Sequence, residues 1–540
     1  MTPSQQHILD ALDPYRHGFP VHRHLTPGAT VTARNWQDAE EVLPPEVLAR
    51  VREGEFVITV APTQGFPLHE RYRAATVRHA PQVRLDAQGR LQGYTAGLPF
   101  PQLDPADPQA GLKLAWNLRY RSLGGDTEEL RVRWTVLHGA KAERHLTMRM
   151  RRLRVMHRTI LSPPELSPNP LRLYQVTVSE MAGPAESQGW QSITYRYDDD
   201  RQPDDTWIYA PRQVTALGGD YHSEDGYGYN GSVHSQTWRY LGETVALAPV
   251  GIPHGIPRFG GRNGWYPVDA YQLRRAHVLE AVAKDPGHHY ARRIFYVDAQ
   301  LWMPFYTLGY DRHGTCFKLV FHMFGDPAHS PWNPGHQGPI NLGACAIHLT
   351  RDRATLLPNV EQRFHGAVAH HPFMHAALEG KGPGEAAYEA REGFGWVAVG
   401  RTARLVEIVP GRLYQSGLPE EQILAEKGIS VVVNLTGQGY TATPRGVLSI
   451  VWPIDDGELP DVHILRSLSS WLADLLRTTE KKILVHCVAS VNRSSLLIGC
   501  TLQQFLGVSG EDVIRYLEEK SGGYAILTNH RFREYVKALR

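Results

Sequence analysis

Apolar and polar positions alternate along much of the first two thirds of the chain. Phe56–Val60, Leu130–Val136 and Leu171–Val178 largely carry apolar side chains at every second position, the period of a strand with one wet face, and so predict antiparallel sheet. Further strands are expected at Gln191–Tyr197, Trp207–Ala210, Arg293–Asp298, Met303–Tyr310, Phe317–Met323 and Ala344–Leu349, separated by long Gly/Pro-rich connections such as 218–231 and 249–265. Between His145 and His157 the apolar set Leu146, Met148, Met150 gives way to Leu153 and Val155, a change of register that predicts a bulge near Arg151-Arg152. The accompanying Arg149, Arg151, Arg152, Arg154 and Arg158 read as a solvated sheet face in preference to a surface for an anionic headgroup or nucleic acid. One short helix is expected at Pro45–Arg52, which opens on proline and carries Val47, Leu48 and Val51.

After Leu357 the alternation fades, and Lys381-Gly-Pro-Gly-Glu-Ala-Ala has the composition of a linker. The pattern therefore divides the chain into a β-rich domain at 1–375, a linker at 376–395 and a second domain at 396–540. In the second domain strands and helices take turns. A strand and turn at Arg412–Pro419 lead to a helix at Glu420–Lys427, a buried-type strand at Ile429–Leu435 and another at Leu448–Val451. A helix at about 461–478 puts Ile464, Leu468, Trp471, Leu472 and Leu475 on one face, with Asp461 as N-cap. Two more helices, at roughly 510–520 and 529–539, complete the pattern. This is an α/β arrangement with a central, mostly parallel sheet and its chemistry at the strand C-termini. The whole chain is thus expected to be an α+β protein of two domains.

Composition narrows the partners. The chain has 540 residues, 42% hydrophobic and 21% charged, with a formal net charge of +2, which gives no reason to expect a nucleic-acid or membrane-surface binder. No apolar run is long enough to span a membrane, and the first thirty residues lack the core of a signal peptide, so a cytoplasmic location is expected. Cys316, Cys345, Cys487 and Cys500 are too few and too scattered for a disulfide framework or a zinc site. His365, His370, His371 and His375 have no carboxylate or thiol partners at ligand spacing and read as loop and linker. Neither metal nor cofactor is expected.

One stretch carries chemistry. The apolar run Ile483–Val485 ends at His486-Cys487; Val488, Ala489, Ser490, Val491 and Asn492 follow, then Arg493, and Ser494 opens the helical pattern Leu496, Leu497, Cys500, Leu502, Phe505. A strand, tight loop and helix in that order turn successive N–H groups and a helix N-terminus toward one point, which suits an oxyanion gripped by Arg493. A cysteine in that setting is a candidate nucleophile.

Two family resemblances extend this reading. Tyr94–Pro101, Asp104–Gly111 with Ala115-Trp116-Asn117, Trp207–Arg212 and Arg292–Trp302 resemble an uncharacterised bacterial envelope-protein family whose fold is compared with the outer-membrane lipoprotein-sorting proteins LolA and LolB. That resemblance covers about 20–370 and implies an incomplete antiparallel barrel, a half-barrel around an apolar cavity for a hydrophobic or lipidic ligand. Its members are usually exported, which this chain's N-terminus does not suggest.

Residues 396–540 resemble the dual-specificity phosphatases of the cysteine-dependent tyrosine-phosphatase superfamily, through Arg412–Gly417, Val432–Leu435, His486-Cys487 with Arg493-Ser494, and Ile526–Phe532. The resemblance implies hydrolysis of a phosphomonoester on protein or small molecule through a phosphocysteine. Cys487 would attack, with Arg493 and the amides of Val488 to Asn492 holding the phosphoryl oxygens. In this family the acid sits about thirty residues before the cysteine, where Asp455 and Asp456 both stand; Asp456 aligns better, leaving Asp455 to orient it or to face solvent. Ser494 would donate to the thiolate or simply cap the helix, and His486 would fix the loop. Where the family has glycine the chain has Ser490, tolerable if its φ stays negative. Two rival functions follow: a hydrophobic-ligand binding protein with an inactive, phosphate-sensing phosphatase-like domain, or redox or sulfur-transfer chemistry at Cys487.

Overall fold

The computed structural model describes residues 3–66, 68–185, 188–209, 219–252, 255–286, 288–327, 333, 335–364, 371–381, 396–399, 405–419, 421–436, 446–521 and 526–539. His365, His370, Pro211, Arg212 and most of the expected linker lie outside them.

Among the described residues thirteen strands, all antiparallel to their neighbours, form one large sheet. From one edge it runs Gln236–Ala248, Gln272–Ala283, Arg292–Asp298, Pro304–Tyr310, Cys316–Gly325, Ile340–His348 and Arg353–Phe364. It then steps back to Thr127–His138, Lys141–Arg154, Leu173–Gly183, Gln191–Tyr197 and Asp205–Tyr209, and ends on Trp396–Val399. That last strand, which the sequence pattern assigns to the C-terminal domain, pairs with Asp205–Tyr209 of the large sheet.

The helix Ala110–Tyr120 is buried on nearly all sides. Its start presses on the edge strand Gln236–Ala248, where Gly111 lies so close that an added Cβ would stand 2.8 Å from the Trp238 carbonyl oxygen. At its other end Trp116 and Tyr120 pack with Tyr174, which lies on a strand separated from that edge strand by eight others. One short helix can touch both only if the sheet curls around it. The sheet is therefore a curved, incomplete barrel with the helix in its hollow.

Curvature also corrects two expectations. Arg151 and Arg152 pair with Glu129 and Glu128 without interruption, and the register shift falls instead between Thr147 and Met148 against the next strand. No bulge is needed at Arg151-Arg152, because both faces of the strand are covered there. Leu153 packs on one side with Phe373 and Met374 of the helix Pro372–Leu378, while Arg152 turns to the other and lies 2.5 Å from Glu128. Nor do the arginines form a wet face. Arg149 is exposed, but Arg152, Arg154 and Arg158 are 3%, 4% and 6% exposed.

The second sheet has, among the described residues, five strands in the order Val406–Val409, Leu413–Ser416, Ile483–His486, Val431–Asn434, Leu448–Val451. The last four run parallel and the first is antiparallel at the edge. Val431–Asn434 and Ile483–His486 are buried at every position, as strands covered by helices on both faces must be. The helix Val462–Thr478 begins where Asp461 accepts from the backbone N–H of His463 and Ile464, at 2.8 and 3.2 Å. Its buried stripe is Leu465, Ser469, Leu472, Ala473 and Leu476, one position round from the expected face, so Ile464 is 47% exposed. The stripe is set by the packing partner, the helix Arg493–Leu506, and not by the most apolar positions alone.

Candidate active site

The central strand Ile483–His486 delivers Cys487 to the C-terminal edge of the second sheet, directly before the loop that leads into the helix Arg493–Leu506. Its neighbours hold the turn in place: the Cys487 N–H donates to the Ser416 carbonyl at 3.3 Å, and Leu435 N–H donates to the His486 carbonyl at 3.0 Å. Cys487 is 1% exposed, and its Sγ lies 3.2 Å from the hydroxyl of Ser494. Asn492, not Ser494, occupies the cap position of the helix. Ser494 therefore faces the thiol.

The loop is tied down from two sides. Gln415, buried in the adjacent strand, donates from Nε2 to the Ser490 carbonyl at 2.7 Å and to the hydroxyls of Ser495 and Ser494 at 2.8 and 3.2 Å. On the other side Leu527 N–H donates to the Val491 carbonyl at 2.8 Å, while the Asn492 side-chain oxygen accepts from Thr528 Oγ1 at 3.0 Å and from Asn529 N–H at 2.9 Å. Between these anchors Ser490 takes φ +59°, the left-handed region, so the negative φ under which serine would be tolerated without strain is not adopted. The curl of the loop requires it: Ser490 must turn its carbonyl to Gln415 while the chain doubles back to the helix. Val488 and Ala489 are half-buried and contribute backbone to the same curve.

The adjacent aspartates part company. Ile454 N–H donates to the Leu435 carbonyl at 3.2 Å, fixing the segment to the sheet. Asp456 then turns inward: Asn492 Nδ2 donates to its Oδ2 at 3.4 Å, and Asn529 Nδ2 donates to its backbone carbonyl at 3.1 Å. Burial raises its carboxyl above the ordinary range, with Arg493 and Asn492 opposing. Asp455 points out, 63% exposed, with Arg351 Nη1 at 3.8 Å from its Oδ2. Arg351 belongs to the turn between Ile340–His348 and Arg353–Phe364, so the large sheet reaches the rim of this cleft. Arg493 donates from Nη1 to the Ile454 carbonyl at 3.4 Å. His486 is fully buried, and burial lowers its imidazole to about 4, which leaves it neutral across the physiological range.

Three enclosed polar atoms, Ser490 Oγ and Arg493 Nε on this loop and Asp456 Oδ1 on the neighbouring segment, have no protein partner. Two donors and a raised carboxyl around a buried thiol, at the positive end of a helix, form a cradle for an oxyanion that brings its own acceptors. Gln415 and Asn529 are the residues sequence reasoning left without a role. The one signal was a polar side chain at a buried strand position and a helix cap beside the motif. Among the described residues no group of three or more His, Cys, Asp or Glu side chains is placed to hold a metal. His375 instead meets Glu379 at 3.3 Å. No helix among them is long and apolar enough to cross a membrane.

Comparison with known proteins divides along the same line. The sequence model of the family described as "Protein of unknown function (DUF1329)" matches residues 30–359. The chain is similar to an uncharacterised protein of Pseudomonas aeruginosa, 24% identical over 328 residues that make up 54% of this chain and 68% of that protein. It is also similar to the Leishmania major protein tyrosine phosphatase PRL-1, 34% identical over 113 residues, 18% of this chain; the chain spans 63% of that relative's length. Among solved structures, an outer membrane lipoprotein-sorting protein domain from Vibrio parahaemolyticus is matched over 51% of this chain and all of its own, at 14% identity and a TM-score of 0.35.

Proposed function

The chain belongs to the DUF1329 family through residues 30–359, and on that premise we propose that a ligand- or substrate-binding domain at 1–375 is joined by a linker at 376–395 to a phosphatase domain at 396–540 that hydrolyses a phosphomonoester. The observation that carries the reading is the cradle at Cys487, where Arg493 Nε, Ser490 Oγ and Asp456 Oδ1 are enclosed without protein partners.

In this mechanism Cys487 Sγ, as thiolate, attacks phosphorus in line while the loop amides and Arg493 hold the three equatorial oxygens. The bond from phosphorus to the leaving oxygen breaks, and that oxygen takes the proton of Asp456. The raised carboxyl suits the role, because the acid must arrive protonated. Ser494 Oγ, 3.2 Å from the sulfur, donates to the departing thiolate when water attacks the phosphocysteine. The water's proton goes to the Asp456 carboxylate, the S–P bond breaks, and phosphate leaves. Asp455 sits at the rim and takes no proton. Neutral His486 holds the loop backbone. The large domain supplies substrate or a hydrophobic ligand.

Hydrolysis of p-nitrophenyl phosphate by wild type and by Cys487→Ser tests this. Turnover in the wild type alone is expected. Equal rates in both, or none in the wild type from pH 5 to 8, sinks the proposal. The left-handed Ser490 favours one second reading, a phosphate-sensing domain without turnover serving a hydrophobic-ligand binding protein. Vanadate binding without hydrolysis would support it.

A further inference from the structure

The hollow of the large sheet holds a second collection of polar groups, unrelated to Cys487. Arg119, Arg121, Arg152, Arg154 and Arg196 gather there around Tyr174 and Tyr227. Four have a carboxylate to answer them. Arg119 is paired with Asp200, Arg196 with Asp204 at 2.7 Å and Arg152 with Glu128 at 2.5 Å, while Arg154 feels the charge of Asp126. Arg121 has none among the described residues.

Arg121 is 2% exposed. Its Nη1 donates to the Leu118 carbonyl, and its Nη2 to the carbonyls of Tyr227 and Tyr229 at 2.6 and 2.9 Å. Its Nε, like that of Arg119, is enclosed and has no partner. Both arginines line a narrow recess, open to solvent on one side, whose other walls include Tyr174, Gln175, Arg196 and Tyr229. The resemblance to lipoprotein-sorting proteins implies an apolar cavity, but this recess has polar walls. Burial, with Arg152 and Arg154 adding to it, pushes the Arg121 guanidinium down to about 10. A buried cation without a counter-ion is among the costliest arrangements a fold can hold, and an anion placed against it offsets that cost.

We infer that this recess is an anion site, in which the unpartnered Nε groups of Arg119 and Arg121 receive one carboxylate or phosphate-type oxyanion of a small ligand. The oxygens would complete the donors of two guanidiniums whose Nη groups are already committed, and the tyrosine rings would flank the ligand's body. The inference stands whether or not Cys487 is catalytic.

Titration calorimetry on the full-length chain carrying Arg493→Ala, which keeps the Cys487 loop from reporting, tests it with three probes: inorganic phosphate, decanoate and decanol. Decanoate is expected to bind at least ten times more tightly than decanol. Phosphate binding as tightly as decanoate identifies a free anion as sufficient; decanoate binding alone identifies an amphiphile with an anionic head. Both outcomes support the site. Arg121→Met strands the carbonyls of Tyr227 and Tyr229, so the decisive variant is Gln175→Glu, which places a carboxylate in the recess. It is expected to raise the unfolding midpoint and to abolish anion binding. Failure of both anions to bind, equal affinity for decanoate and decanol, or unchanged binding by Gln175→Glu overturns the inference.

Discussion

Replacing Ser490 by glycine is expected to stabilise the C-terminal sheet, against the usual penalty for introducing glycine. At φ +59° an L-residue with a Cβ carries a left-handed cost of about 1–2 kcal/mol. Glycine removes that cost and gives back roughly 0.5–1 kcal/mol through the greater freedom of its unfolded state. The backbone term alone should then favour glycine by about 0.5–1 kcal/mol. The enclosed Ser490 hydroxyl, which has no protein partner, adds a further contribution on the order of 1 kcal/mol that either glycine or alanine would release. Ser490→Ala keeps the Cβ and so isolates the hydroxyl. The expected order of stability is glycine, alanine, serine, with glycine ahead of alanine by the backbone term. That gap corresponds to roughly 1–4 °C in the unfolding midpoint for a unit of this size. Urea denaturation of the three chains, followed by the fluorescence of Trp452 and Trp471, reads the differences. If alanine equals or exceeds glycine, Ser490 is not strained and the reasoning fails. What holds the strain in the wild type is Gln415, whose amide grips the Ser490 carbonyl at 2.7 Å.

Asp456→Asn is expected to lower turnover by roughly 10²–10⁴ without loss of stability at pH 7. The folded carboxyl titrates above its unfolded value, so its ionisation costs the native state as pH rises from about 4, and asparagine avoids that cost. A variant less stable than wild type at neutral pH would contradict the assignment, and in the wild type the rate should fall as pH rises through the raised value. His486, neutral when folded with a value near 4 against 6.5 unfolded, makes the C-terminal sheet lose up to roughly 3 kcal/mol as pH falls from 6.5 to 4; a flat urea midpoint over that range would refute it. Gly111→Ala should cost about 1–3 kcal/mol, because its Cβ would press on the backbone of Trp238, Arg239 and Tyr240. An unchanged thermal midpoint would mean that helix and strand are less closely packed than described.

The loop from His486 to Arg493 was legible because its ingredients are contiguous: an apolar run, a short polar loop and an apolar helix leave one arrangement. Alternation likewise announced the antiparallel sheet. What could not be read depends on distant partners. Gln415 and Asn529 become part of the site only when strand and helix are brought together; a polar side chain in a buried strand and a helix cap hint at a role, but no spacing marks that meeting. The arginines at 152, 154 and 158 looked solvated because a linear pattern does not show that a sheet curls. Ile464 was misplaced by one position because the burying stripe of a helix follows its neighbour. Ser490 stood out as a departure from the family's glycine, but the sign of its φ is a property of the closed loop.

The strand Trp396–Val399 has a consequence for solubility. Asp205–Tyr209 would otherwise end the large sheet with a row of open N–H and C=O groups, the template on which β-proteins join edge to edge into oligomers and fibres. Four residues from beyond the family match cover it. The C-terminal extension thus acts as a stopper for the domain before it, and a chain cut short of residue 396 should self-associate through that edge even though its own core is intact.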